Sequence, residues 1–558
     1  MSSLISLQPR NNNFEIYLKE INAGIIQIPE FQRDFIWDLE NVMNLLRSIK
    51  KNYPIGSFLL WKPETRFEIA KQVGPYFIKK EMIDAFGRIN CKYVLDGYQR
   101  MSSLFGALTN PKDIHNFTID RPLYNSTFNI FYNLKEQEFE NYKGRDTEKE
   151  SFIVPVYTLL DFEEFLTVSQ KIQNEYDPDQ SNTYTNRLKK IVTTFERYQM
   201  PVIEIAGGSL EEAIDIFTLL NKEGKPITPD WILSAKTYTS NFRLGDKIDQ
   251  IIEKLEVYNF TDKRPREVAV RELVFRSIQS SFGDLYLDNK KTDIITLSKK
   301  DDFQTQVEIT IKSIEIAVRF LFEELLIVDN KLLPANMQFI FMVEFFHYNI
   351  NPSRNKLEQL KKWFWITSYS NYFTIYSPSK RKEAFKVFQQ FSRGTSDQII
   401  YKDKPNNSFF VPELPRKINL GAVRSKTYIL FMLNYSNDFN QVNVDEVDSY
   451  KIIKLFSTVE SKLIDKHGES SNIVVCLNKF ENNIFHEGGK KHKDLSFLLD
   501  YKYLGQYSNL FISDEMREAY LMDDIERVLK LRQNLIFKAE EDFTNGLDIK
   551  YLQDDYPF

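Results

Sequence analysis

Tyr93-Val94-Leu95-Asp96-Gly97-Tyr98-Gln99-Arg100-Met101, continuing through Leu104, Phe105 and Leu108, is the stretch on which the fold of this chain turns. Tyr93-Val94-Leu95 is a short apolar run of strand-favouring residues and reads as a buried strand. Asp96-Gly97 interrupts it, because glycine accepts a positive φ and aspartate favours turns and helix caps. From Gln99 onward, apolar side chains at Met101, Leu104, Phe105 and Leu108 recur at helical spacing. A strand, a tight turn and a helix in that order gather an acid, an amide and a guanidinium where a helix begins. Unpaired backbone N–H groups and the positive end of the helix dipole make such a start receptive to anions. Arg100 adds a planar fork matched to phosphate, and Asp96 is a ligand type suited to a hard divalent cation. The local residues equally allow Asp96 as a plain helix cap and Arg100 as a structural ion-pair partner.

Upstream, Phe14, Tyr17, Leu18 and Ile21 mark a short amphipathic helix, and Ile25 to Ile28 reads as a strand stopped by Pro29. A helix from about Leu39 to Lys50 turns Val42, Leu45, Leu46 and Ile49 inward; Pro54-Ile55-Gly56 ends it, and Phe58-Leu59-Leu60-Trp61 starts a strand. Downstream, Ile130 to Leu134, Phe152 to Tyr157 and Met200 to Ile205 read as strands, and the polar Asn174 to Thr183 as a loop. Asn221 or Gly224 suits the left-handed stop of one helix, and Thr228-Pro229-Asp230 is a start signal for the next. Strands and helices that do not alternate regularly argue for an α+β domain. Beyond Ile232 the pattern becomes long helices, with Trp363, Phe364 and Trp365 expected as core packing.

A chain of 558 residues exceeds one ordinary core, and at roughly 150 residues per domain about three units are expected. We place them at residues 1–235, an all-α middle domain at 236–440, and a mainly helical C-terminal domain at 441–558. The 42% hydrophobic and 27% charged content fits a globular protein, and the net charge of −5 confines any DNA-binding surface to a local patch. Lys263-Arg264-Pro265-Arg266 and Lys380-Arg381-Lys382 are such local clusters. Cys91 and Cys476 are far apart and without a CxxC partner, which excludes a disulfide scaffold or cysteine zinc knuckle and suits a reducing cytosol. With no signal-like N-terminus and no apolar run long enough to span a bilayer, a cytoplasmic location is expected.

Ile28-Pro29-Glu30-Phe31-Gln32-Arg33, Trp37, and Tyr53-Pro54-Ile55-Gly56-Ser57-Phe58-Leu59-Leu60-Trp61 resemble the opening of the GmrSD restriction endonuclease N-terminal domain family. Leu95-Asp96-Gly97-Tyr98-Gln99-Arg100 is similar to that family's Asp-Gly-Gln-Gln-Arg motif, departing from it at Tyr98. Phe217 to Ile232 is similar to its later F-x-x-L-N-x-x-G segment. The resemblance implies a ParB-like, sulfiredoxin-related α+β domain in anti-phage defence, which binds or hydrolyses a nucleoside triphosphate with Mg²⁺ and couples this to recognition or cleavage of modified or foreign DNA. Asp96 and Arg100 would then be the catalytic residues, with Gly97, Tyr98, Gln99, Gln32, Arg33 and Asn221 in the nucleotide site. DNA is the implied partner, with a homo-oligomer or partner subunit allowed; no metal ligand set is assigned beyond Asp96. The alternative is a non-catalytic DNA- or partner-binding module in which the Asp-Gly turn is structural. A nuclease acting from the first domain ranks below both.

Many relatives end in an HNH-type nuclease, which needs a histidine base and a metal-holding His/Asn/Asp set. The five histidines are His115, His347, His467, His486 and His492. No Asp-His pair introduces a strand in the last third, so that domain is expected to be degenerate or absent, with His486 and His492 as its possible remnant.

Overall fold

The computed structural model describes residues 6–29, 35–63, 69–86, 91–141, 150–209, 242–262, 269–287, 296–402, 409–436, 449–477 and 493–551, with isolated positions between 212 and 237. The chain is a mixed α+β protein that divides into two compact units, Met1–Arg243 and Leu244–Phe558.

The first unit opens with β1 (Ser6–Asn13), α1 (Phe14–Asn22), β2 (Ile26–Gln27), α2 (Leu39–Lys50) and β3 (Phe58–Lys62). Then come β4 (Gln72–Val73), β5 (Tyr76–Ile78), α3 (Lys80–Phe86), β6 (Lys92–Asp96) and α4 (Tyr98–Leu108). It continues through β7 (Phe117–Ile119), α5 (Arg121–Leu123), β8 (Ile130–Asn133), β9 (Glu138–Asn141), β10 (Ile153–Pro155), α6 (Phe162–Glu175), α7 (Pro178–Arg197) and β11 (Gln199–Ala206). Its main sheet has five strands in the order β1-β11-β3-β6-β2. β3 pairs antiparallel with β6 and parallel with β11, while β6 pairs parallel with β2. Phe58, Leu59, Leu60 and Trp61 of β3 and Tyr93, Val94 and Leu95 of β6 are all buried, as their near-continuous apolar character requires.

The strand–turn–helix expected at Tyr93 is present, and the helices at residues 14 and 39 start where the apolar spacing places them. One strand was not anticipated, and one expectation needs correction. Ser6–Asn13, polar and carrying Pro9, is a strand: it pairs along its whole length with β11 at the sheet edge, where a proline and exposed polar side chains are tolerated. The loop expected over Asn174 to Thr183 is a break of only two residues between helices. Asp177 caps α7 by accepting from the N–H groups of Asp179 and Gln180, with Pro178 in its first turn.

The second unit is mainly helical. Its elements are α8 (Leu244–Leu255), α9 (Ala269–Ser280), α10 (Phe303–Leu325), α11 (Asn336–Tyr348), α12 (Arg354–Tyr369), α13 (Pro378–Ser392), β12 (Phe410–Val411) and α14 (Val423–Ser436). They are followed by β13 (Tyr450–Lys454), α15 (Ser461–His467), β14 (Ile473–Leu477), α16 (Asp514–Leu521), α17 (Ile525–Gly546) and β15 (Lys550–Tyr551). Phe341 of α11 sits among Trp363, Phe373, Phe385 and Phe388 at ring-centroid distances of 5.0–5.8 Å, and Trp363, Phe364 and Trp365 are core residues as expected. Residues on the two sides of position 440 share this unit. Arg424 of α14 makes a bidentate pair with the fully buried Glu540 of α17 at 2.9 and 2.6 Å, and the Tyr369 hydroxyl donates to the same carboxylate. Arg532, fully buried, donates to the carbonyls of Ser471, Ile473 and Leu510, stapling β14 to the loop before α16. Burial lowers its pKa to about 10, so the guanidinium remains charged at neutral pH.

Candidate functional site

β6 ends at Asp96, and Gly97, at φ +85°, is the residue on which the chain reverses into α4. A Cβ at Gly97 would lie 2.6 Å from Cδ1 of Phe58, so the left-handed φ and the close approach of β3 both call for glycine. Asp96 does not cap the helix: Gly97 holds the N-cap position, and no side chain there accepts from the first turn. The first N–H groups of α4 lie at the positive end of its dipole.

In α4 every residue except Arg100 is buried. Asp96 and Arg100 are the half-open positions of the turn, with side-chain exposures of 34% and 20%. Arg100 Nη2 lies 3.4 Å from Asp96 Oδ2, a loose contact rather than a tight fork. Nη1 donates to the Ile55 carbonyl at 2.6 Å, and the guanidinium stacks over the Phe58 ring at 4.8 Å. Gly56, at φ +81°, makes this possible, since a Cβ there would fall 2.5 Å from Nη1. Burial pulls the Arg100 guanidinium below its ordinary pKa, and the Asp96 carboxylate opposes that pull. Arginine starts so high that it stays charged. The side chain is therefore a cation held rigidly beside the turn, with N–H donors beyond the two engaged by Ile55 and Asp96.

Gln99 is 6% exposed, and its Oε1 accepts from the Ile36 N–H at 2.9 Å. That bond ties the start of α4 to the segment entering α2, 63 positions earlier. Tyr98 is likewise buried, at 7%. The opposite end of β6 is fixed by ion pairs: Lys92 Nζ lies 2.8 Å from Glu204 and 3.3 Å from Glu20, and Arg10 pairs with Glu204 at 3.1 Å. Beside them, burial and then the Glu204 charge push the Tyr17 phenol up to about 12.

The structure thus brings together Asp96, Gly97, Tyr98, Gln99 and Arg100. Gln32, Arg33, Asn221, His486 and His492 lie outside the described residues. Ile55 and Phe58, read from the sequence as a helix stop and a strand start and not as site residues, are the residues that hold Arg100; a glycine two residues after a proline was the signal for the close approach. In the last third, His467 is buried, with Nδ1 3.0 Å from Gln533 Oε1. Among the described residues no three His, Cys, Asp or Glu side chains are grouped to hold a metal, and no helix is long and apolar enough to cross a membrane.

A protein described as uncharacterized protein MJ0686, from Methanocaldococcus jannaschii, is 24% identical over an alignment covering 92% of this chain and 90% of that one. The family model for the GmrSD restriction endonuclease, N-terminal domain, matches residues 14–238, a span that includes the sheet, the Asp-Gly turn and α4. Over residues 14–238 the chain is thus similar to the GmrSD restriction endonuclease N-terminal domain family.

Proposed function

We propose that the Asp96–Arg100 turn binds a nucleoside triphosphate with Mg²⁺, and that its occupancy gates the action of a prokaryotic restriction-type defence protein on modified or foreign DNA. The observation that carries this reading is a rigidly held guanidinium and a half-open carboxylate placed together at the start of a helix. The residues fit the ligand. Arg100 and the N–H groups opening α4 would take phosphate oxygens, and Asp96, only loosely bound to Arg100, is available to Mg²⁺. The metal would supply charge neutralisation on the phosphates. Gly97 lets the backbone approach them, while Ile55 and Phe58 keep Arg100 from collapsing across the turn. A ParB-like arrangement of this domain belongs to the same proposal, as do nucleotide contacts from Tyr98, Gln99, Gln32, Arg33 and Asn221, DNA as the partner, and His486 and His492 as a nuclease remnant.

A second reading, a structural turn in a non-catalytic binding module, draws on one specific fact: Arg100 already donates to Ile55 and stacks on Phe58. Nucleotide binding and phosphate release by the full chain, its Arg100→Ala variant and its Asp96→Asn variant separate the two. The nucleotide reading expects Asp96→Asn to blunt the Mg²⁺ dependence of binding. The structural reading expects both variants to lose folded protein without any nucleotide response in the parent.

A further inference from the structure

Helices α12 and α13 concentrate positive charge in an acidic chain. Arg354 to Arg393 contains nine Lys and Arg against Glu358 and Glu383, a net charge of +7, in a protein whose total is −5. The two helices run antiparallel: Trp363 packs on Phe388 at 4.9 Å, and Lys356 Nζ lies 5.7 Å over Phe391. Arg354 and Lys356, at the start of α12, therefore lie at the Arg393 end of α13. Lys380, Arg381 and Lys382 mark its other end. Lys382, Lys386 and Arg393 recur on one face of α13, and Lys386 and Arg393 are exposed. From Lys382 to Arg393 the line of charge is about 16 Å long at the helical rise.

Both helices also begin against their own dipoles. Neither has an acidic residue in its first turn, and both place cations there or just beyond. Several other helices do carry an acid there, Glu40 in α2, Glu163 and Glu164 in α6, Asp179 in α7, and Asp514 and Glu515 in α16, whereas α14 shares the cationic start through Arg424. Cations at a helix start cost stability unless an anion faces them. Some of the positive charge is neutralised within the unit, by Lys361 with Glu324, Lys362 with Asp548, and Arg393 with Glu344 at 3.6 Å, while Lys402 in turn neutralises Glu383 of α13. Among the described residues Arg354, Lys382 and Lys386 have no carboxylate partner.

We propose that the exposed face of α13, extended by the start of α12, is a binding surface for the phosphate backbone of double-stranded DNA. At one phosphate per 3.4 Å along a strand, a line of about 16 Å spans roughly five phosphates. This builds on the DNA-directed part of the function proposed above and not on its nucleotide site.

Binding of the full chain to a short fluorescent DNA duplex, without nucleotide and over a series of salt concentrations, tests it. Lys382→Ala/Lys386→Ala should weaken binding roughly tenfold and flatten the log–log salt slope by about two. Lys451→Ala/Lys454→Ala, with the same charge change elsewhere in this unit, should match the parent. No duplex binding by the parent at low salt, equal losses in both double variants, or binding confined to RNA or anionic vesicles would overturn the proposal. Because nucleotide is absent, a failed nucleotide site leaves these outcomes unchanged.

Discussion

Gly97 carries two constraints at once, a left-handed φ and a missing Cβ against Phe58. Gly97→Ala should therefore destabilise the domain by roughly 1–3 kcal/mol, read as a lower denaturant midpoint. At the other functional extreme is Glu344 in α11. Its carboxyl is buried, Oε1 accepts from Gln389 at 2.9 Å, Arg393 reaches it only at 3.6 Å, and Oε2 has no partner. Burial pushes its pKa up from 4.5 to about 7, and Gln389 and Arg393 only partly oppose this. A carboxyl whose folded pKa lies above its unfolded value holds its proton longer when folded. Its contribution is thus fully present below about 4.5 and is lost as pH rises to about 7. The loss is on the order of 3 kcal/mol. Glu344→Gln should remove that part of the pH slope, seen by comparing urea midpoints of the two proteins at pH 5 and 7.5. An equal slope in both would contradict it. At this scale the sequence announced the Asp-Gly turn and Arg100 but not their supports. Ile55, Phe58 and the Gln99–Ile36 bond depend on contacts between residues more than forty positions apart, which local pattern does not encode.

Elements whose own side chains specify them were legible. β6, α2 and α4 have apolar runs or periodicities that state their type, and their termini fall at Asp-Gly, at Asp38 or at proline. β1 was not legible, because nothing in Ser6–Asn13 favours a strand; its ladder is imposed by β11. The α6–α7 junction was misread for a different reason. Asp177-Pro178-Asp179 punctuates a helix as readily as it builds a loop, and only the cap geometry distinguishes them. That cap gives a direct check: Asp177→Ala leaves the N–H groups of Asp179 and Gln180 without their acceptor, and should cost about 1 kcal/mol in an unfolding titration. Asp179→Ala, which keeps the cap, should cost less.

Across the whole molecule, the sequence foretold an α+β domain followed by helices, and the structure has a mixed-sheet unit to Arg243 and a mainly helical unit from Leu244. The net charge argued that any nucleic-acid surface must be local, and the concentration of lysine and arginine on α12 and α13 meets that requirement. What composition could not supply is the role of the Asp96 turn, since a helix start with a half-open arginine beside it serves structure and ligand equally well until a ligand is offered. Calorimetric titration of a magnesium nucleoside triphosphate into the full chain and into its folded Arg100→Ala variant tests that role most directly. Saturable binding by the parent, weakened roughly 10- to 100-fold in the variant by loss of charge-assisted hydrogen bonds, is the predicted result. A parent that binds no nucleotide, or a variant that binds as tightly as the parent, would contradict it.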